Sequence, residues 1–200
     1  LKDTVEVLKG LDLSKTKTKL LAIVANTRGA EEAVQFDEIN YLGFPFSISE
    51  TFQKRNTNSS IAESLIRVEE IQKLCLSKNK KLVVYISMAF GNPYGDKWNT
   101  EIAATWCKQL YEKLGIKILA LSDTIGVSNP TNIVPLFQGL ISELPNVEFG
   151  AHLHSTPDTV REKVEAAFKA GCRRFDGAIK GFGGCPMAAN DLTGNMPTEK

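Results

Sequence analysis

Histidine is scarce in this chain: there are two in 200 residues, His152 and His154. Any chemistry that needs an imidazole must therefore come from one short stretch. Cysteine is sparse too. Cys75, Cys107, Cys172 and Cys185 form no CxxC pair and show no secreted disulfide spacing, which fits free thiols in a reducing cytoplasm or organelle matrix. Net charge is almost absent, at 24 basic against 23 acidic side chains. With no basic stripe and no charge run, neither nucleic acid nor a membrane surface is indicated as a partner. Apolar runs such as Leu82–Ile86 are far too short to span a bilayer. No GxGxxG follows the first strand-like run, so a dinucleotide fold has no positive sign. No signal peptide opens the chain, although Leu1 in place of Met implies a true start further upstream. No low-complexity stretch or linker divides it, so residues 1–200 read as one domain.

What the sequence does have is alternation. Leu20–Ala25, Ile39–Phe46, Lys81–Met88, Ile116–Leu121, Val147–His154 and Arg174–Ile179 read as strands, several of them nearly continuous apolar runs. Amphipathic helices lie between them. Ser60-Ile-Ala-Glu63 is a capping box ahead of Ile61, Leu65, Val68 and Ile71. Asn99 caps a helix that Gly115 stops. Pro130 and Pro157 each sit where a first helical turn tolerates proline. Asp3–Leu8 and Glu31–Phe36 are two shorter helices. Repeated strand–helix units imply a parallel sheet. Polar and small residues gather at the strand ends (Asp123, His152, His154, Gly181–Cys185), as on the catalytic face of a TIM barrel. The fold class is therefore α/β, a (β/α)8 barrel present as about six units.

Three motifs carry chemistry. In Gly150-Ala-His152-Leu-His154 the two imidazoles fall on the same side of a strand. They are either two nitrogen ligands to a divalent metal or a pair of satisfied core histidines. Asp123, in Ser122-Asp-Thr-Ile-Gly126, is able to orient a histidine, ligate metal or polarise a substrate hydroxyl; equally, it forms a turn. Gly181-Phe-Gly-Gly-Cys185-Pro186 places a thiol on a glycine loop, as proton donor, nucleophile or incidental cysteine. Asn56, beside Lys54 and Arg55, belongs to the loop after the Ile39–Phe46 strand, where it could line a substrate tunnel.

Together these stretches resemble the hydroxymethylglutaryl-CoA lyases, a family of the metal-dependent TIM-barrel lyases and Claisen-condensing enzymes. The matching segments are Val5–Gly10, Ser49-Glu50 with Lys54–Asn56, Ser122–Val127, Ala151–His154, and Gly181–Pro186 leading to Thr193-Gly-Asn195. They run in the family's order through essentially the whole chain. The cysteine loop is the most specific of them, because the condensing relatives share the paired histidines but generally not this loop. The resemblance implies that His152 and His154 ligate Mg²⁺ or Mn²⁺. Asn195 would be a further oxygen ligand, assigned by its Gly-Asn match ahead of Asn190. It implies Asp123 as a catalytic residue beside the metal, His152 as a second candidate base, Cys185 as the loop thiol of turnover, and Asn56 close to an acyl-CoA substrate.

The family's first-strand Arg-Asp pair and a nearby glutamate have no counterpart before Leu20, and the final helix is missing after Lys200. The chain is thus expected to match strands three to eight of a barrel truncated at both ends, and to be inactive and a weak metal binder alone. The implied reaction is retro-Claisen cleavage of 3-hydroxy-3-methylglutaryl-CoA to acetoacetate and acetyl-CoA, as in leucine degradation. A same-superfamily aldolase or condensing enzyme is the alternative, and an inactive fragment is another. The implied location is cytoplasmic in a bacterium or the mitochondrial matrix in a eukaryote, and a homodimer is left open.

Overall fold

The structure, a computed structural model, describes residues 3–184 and 193–199. A first helix α1 (Thr4–Lys9) precedes β1 (Leu20–Ile23), α2 (Thr27–Ala33) and β2 (Ile39–Ser47). Two helices follow, α3 (Glu50–Thr57) and α4 (Ile61–Ser77), then β3 (Lys81–Ser87), α5 (Thr100–Leu114) and β4 (Ile118–Asp123). The chain continues with α6 (Pro130–Glu143), β5 (Glu148–Ser155), α7 (Val160–Lys169) and β6 (Arg174–Phe175). A short 3₁₀ turn (Ile179–Gly181) and β7 (Gly194–Asn195) complete the described elements.

Strands β1 to β6 pair in parallel in sequence order, and β7 adds antiparallel to β5. The sheet curls into the half-barrel expected of a partial TIM barrel. Strand parity divides each strand's side chains between two faces. Leu42, Phe44 and Phe46 of β2, Leu82, Val84 and Ile86 of β3, and Phe149, Ala151 and Leu153 of β5 join the large core beneath the helices. The opposite parity, including Val83, Ile118, Ala120, Leu21 and Tyr85, faces the concave side.

Local signals set the helix ends. Ser60 Oγ accepts from the Glu63 amide while Glu63 Oε2 accepts from the Ser60 amide, which completes the expected capping box. Asn99 caps α5 through the Ile102 amide, and Gly115 ends that helix at φ +67°. Asn129 caps α6 with Pro130 in its first turn. Pro157 instead lies in the turn before α7, which starts at Val160.

Three stretches differ from the sequence reading, the first being the short helix read at Glu31–Phe36, which is found at Thr27–Ala33 with Asn26 as its cap. Lys54–Asn56 is helical, in α3: Ser49 Oγ caps it by accepting from the Phe52 amide, and Asn58 closes it at φ +50°. Strand β6 is two residues long rather than six, since it pairs with β5 only at Gly150↔Arg174 and Ala151↔Phe175. Among the described residues no helix is long and apolar enough to cross a membrane.

Candidate active site

Alternation along β5 sends Gly150, His152 and His154 to the concave face, because their neighbours Phe149, Ala151 and Leu153 are core. Both imidazoles line one cavity of about 700 Å³ together with Tyr85, Ser122, Thr124 and Asp176. The two rings lie 5.6 Å apart between centroids.

Each ring is held by its Nδ1. His154 Nδ1 is 3.0 Å from the Thr124 carbonyl oxygen. A carbonyl only accepts, so Nδ1 is the donor and Nε2 keeps its lone pair. His152 Nδ1 is 3.1 Å from Asp176 Oδ2, and its ring meets Tyr85 edge-on at 5.4 Å and 82°. Burial pulls the His154 pKa below its ordinary value; the Thr124 carbonyl opposes this, and the neighbouring His152 adds to it. The neutral form, which alone can ligate a metal, is therefore favoured.

Asn195 comes to the same place. In β7 it pairs with His154 across the antiparallel bridge. Its Nδ2 donates to the Phe182 carbonyl at 2.8 Å, so its amide oxygen is left to act. The contact between the two side chains favours the protonated ring, as an acceptor oxygen would. With His154 neutral, its Nε2 and the Asn195 amide oxygen are both acceptors. Such a pair suits a cation, and imidazole nitrogen with amide oxygen is a donor set that Mn²⁺ or Mg²⁺ accepts. Among the described residues no three His, Cys, Asp or Glu side chains converge to hold a metal, so any further ligand lies outside this set.

Thr124 couples these parts. Its hydroxyl accepts from the Met88 amide at 2.9 Å, while its carbonyl holds His154. Met88 is fully buried with φ +62°, a left-handed conformation that costs a non-glycine residue about 1–3 kcal/mol. The strain sits just after β3, next to Ser87, which lines the cavity.

Asp123 is not in the cavity. Its strand parity is that of Leu119 and Leu121, and its side chain is fully buried on the helix side. Asp123 Oδ1 accepts from the Val127 amide at 2.8 Å; Oδ2 accepts from the Ser128 amide at 3.0 Å, from the Ser128 hydroxyl and from Lys163 Nζ at 3.0 Å. Lys163 Nζ also donates to the His154 carbonyl at 2.7 Å and to that of Gly126 at 3.2 Å. The carboxylate therefore shapes the turn after β4 and fixes the backbone of His154 from behind.

Asn56 opens on a separate cleft of about 420 Å³, lined also by Asn26, Arg28 and Arg67. Beside it, Arg55 stacks over the Tyr94 ring at 4.8 Å. Asp96 accepts from the Ser49 hydroxyl at 2.6 Å and from the Thr51 amide at 3.0 Å, tying the Gly91–Asp96 loop to the start of α3. Cys185 and Asn190 lie outside the described residues. The structure thus places His152 and His154 in one cavity, with Asn195 paired to His154 across β7, and leaves Asp123 and Asn56 outside that cavity. Thr124, Lys163 and Asp176 are the site residues that sequence reasoning missed.

The family model described as HMGL-like matches residues 2–200. Hydroxymethylglutaryl-CoA lyase YngG of Bacillus subtilis strain 168 is 34% identical over 199 residues, which cover 100% of this chain and 65% of the relative. The crystal structure of the Bacillus subtilis HMG-CoA lyase aligns with a TM-score of 0.88 at 33% identity, covering 100% of this chain and 65% of that one. An HMG-CoA lyase from Acinetobacter baumannii, in complex with coenzyme A and 3-methylmalate, aligns with a TM-score of 0.86 at 30% identity over 100% of this chain and 64% of its own. The chain spans less than two thirds of the length of each of these relatives.

Proposed function

We propose, from the premise that the chain belongs to the HMGL-like family, that it forms the metal-binding wall of a lyase cleaving 3-hydroxy-3-methylglutaryl-CoA to acetoacetate and acetyl-CoA. The observation that supports this reading is the pair of imidazoles lining one cavity at the carboxyl end of β5, with Asn195 paired to His154 across β7. Barrel enzymes place their chemistry at that end of the strands.

A divalent ion held by His152, His154 and Asn195 would supply the positive charge that acidifies the substrate's tertiary hydroxyl. The chain's own residues do the rest. A proton must leave that hydroxyl before the carbon–carbon bond breaks, and another must reach the enolate of acetyl-CoA afterwards. Of the two bases suggested by sequence, Asp123 has both oxygens engaged and faces away. His152 faces the cavity. A neutral imidazole has one lone pair, so His152 accepts the proton only while its Nε2 is off the ion. Asp123 becomes a positioning residue, acting through Lys163 on the His154 backbone. Cys185 is proposed as the donor to the enolate, delivered by its glycine loop. Asn56, with Arg28 and Arg67, offers polar and cationic partners for the phosphates of an acyl-CoA.

The test is an assay of this chain, and of any longer product of its gene, with 3-hydroxy-3-methylglutaryl-CoA and Mg²⁺ or Mn²⁺. Acetoacetate release that His154→Ala abolishes is the expected result. Turnover of acetyl-CoA with a 2-keto acid, and none of the lyase substrate, would overturn the reading in favour of a condensing enzyme.

A further inference from the structure

The two histidines are held in the same way by different atoms, and only one holder was legible as part of a motif. Thr124 follows Asp123 in the Ser122–Val127 segment and serves His154. Asp176 belongs to no motif. It stands on the extension of β6, two residues beyond the Gly150↔Arg174 pair on each strand, which brings it level with His152. Its amide donates to the Ala151 carbonyl at 3.0 Å, so the backbone that carries the carboxylate is fixed to the strand that carries the ring. The Asp176 side chain is about one quarter exposed, and that of His152 about one third. Both are therefore shielded without being sealed off.

Resting on the metal-site reading above, we propose that Asp176 is a positioning residue that locks His152 in the Nδ1–H tautomer, with Nε2 aimed into the cavity. An ionised carboxylate only accepts, so across 3.1 Å the proton of this hydrogen bond belongs to Nδ1. A histidine side chain free in water prefers the opposite tautomer, with the proton on Nε2, and that proton would block the ligand atom. The edge of Tyr85 closes the second side of the ring. Its phenol is held protonated, above its ordinary range, by burial first and then by the charge of Asp176. The same carboxylate thus holds the His152 ring and disfavours ionisation of the phenol beside it. Partners of this kind, when removed, typically cost 10–100-fold in metal affinity.

Because the chain has two histidines, its ¹⁵N spectrum has two imidazole spin systems, and each tautomer can be read without metal or substrate. At about pH 8.5, two units above the ordinary histidine value, both rings of the parent should carry their proton on Nδ1. Asp176→Ala should move His152 toward Nε2–H and leave His154 unchanged as the internal control. Asp176→Asn, which retains an acceptor oxygen of the same shape, should restore the Nδ1–H form in large part and covers the case where alanine compromises folding. Mn²⁺ titration should show roughly tenfold or greater weakening in Asp176→Ala. A parent His152 protonated on Nε2, or an Asp176→Ala spectrum identical to the parent's, overturns the proposal. Both spectra stand apart from catalysis, so a chain that cleaves no substrate leaves this test intact.

Discussion

Asp123→Asn changes one atom's chemistry at constant shape, and the structure makes its cost calculable. Oδ1 faces the Val127 amide, and Oδ2 faces the Ser128 amide, the Ser128 hydroxyl and Lys163 Nζ. A carboxylate accepts from all four groups. An amide has one oxygen, so its NH₂ must face either the Val127 N–H or the Lys163 ammonium, and both orientations oppose donor to donor. Lys163 meanwhile loses its anionic partner among the described residues while its side chain is 3% exposed. Removing one member of a buried pair costs about 3–5 kcal/mol, against a total stability of about 5–15 kcal/mol. Urea unfolding should therefore show a midpoint lowered by a large fraction. Lys163→Met should also destabilise, and the Asp123→Asn/Lys163→Met double variant should lose much less than the sum of the two. If each single variant costs under about 1 kcal/mol, the pair is solvated in solution and the buried-network argument fails.

Burial pushes the Cys75 and Cys172 thiols up to about 11 and Cys107 to about 12, from 9.0. Protonated in the fold, these thiols should alkylate slowly at neutral pH by mass spectrometry, well behind Cys185. The linkage has a sign: folded values raised above the unfolded one contribute stability that is full below pH 9 and is lost as pH rises through 11 to 12. Urea midpoints should accordingly fall across that window, and a flat profile there would contradict the burial. Gly181→Ala should destabilise by at least about 1–2 kcal/mol, since φ is +67° and the new Cβ would stand 2.7 Å from the Asn195 carbonyl oxygen. The His154 ring resonance should shift with it as Asn195 is displaced. Ser60→Ala removes the capping box of α4 and should cost about 1 kcal/mol in the same unfolding assay.

Much of the fold was legible because buried parallel strands and capped helices both have strong local signatures. Seven strand starts or ends shifted by a residue or two, as for β5, read at Val147–His154 and found at Glu148–Ser155. The misses have physical reasons. Strand β6 sits at the far side of the described sheet with one parallel neighbour, so the stretch after Phe175, interrupted by Asp176 and Gly177, had less ladder to join, and a 3₁₀ turn begins at Ile179. Helix α3 is short and polar, with Phe52 as its buried apolar residue, so no hydrophobic stripe announced it. Only its Ser49 cap was a usable sign.

The site was legible in proportion to how much of it lies on one strand. His152 and His154 share β5, and period two alone put them on one face. Their holders arrive from 24 and 30 residues away, through the register of β6 and the turn after β4. No spacing in the sequence encodes that distance. Asp123 shows how a strand boundary changes which face a carboxylate is expected on. Reading the fourth strand as ending at Leu121 left Asp123 in a turn, free to face the metal. The strand in fact runs to Asp123, and alternation from Leu119 and Leu121 then sends that carboxylate to the helix side. There Lys163 neutralises it and anchors the His154 carbonyl. Ser122, one residue earlier, is the β4 side chain that the cavity receives. Two residues of strand length thus decide whether a carboxylate faces the cavity or supports the backbone of a residue that does.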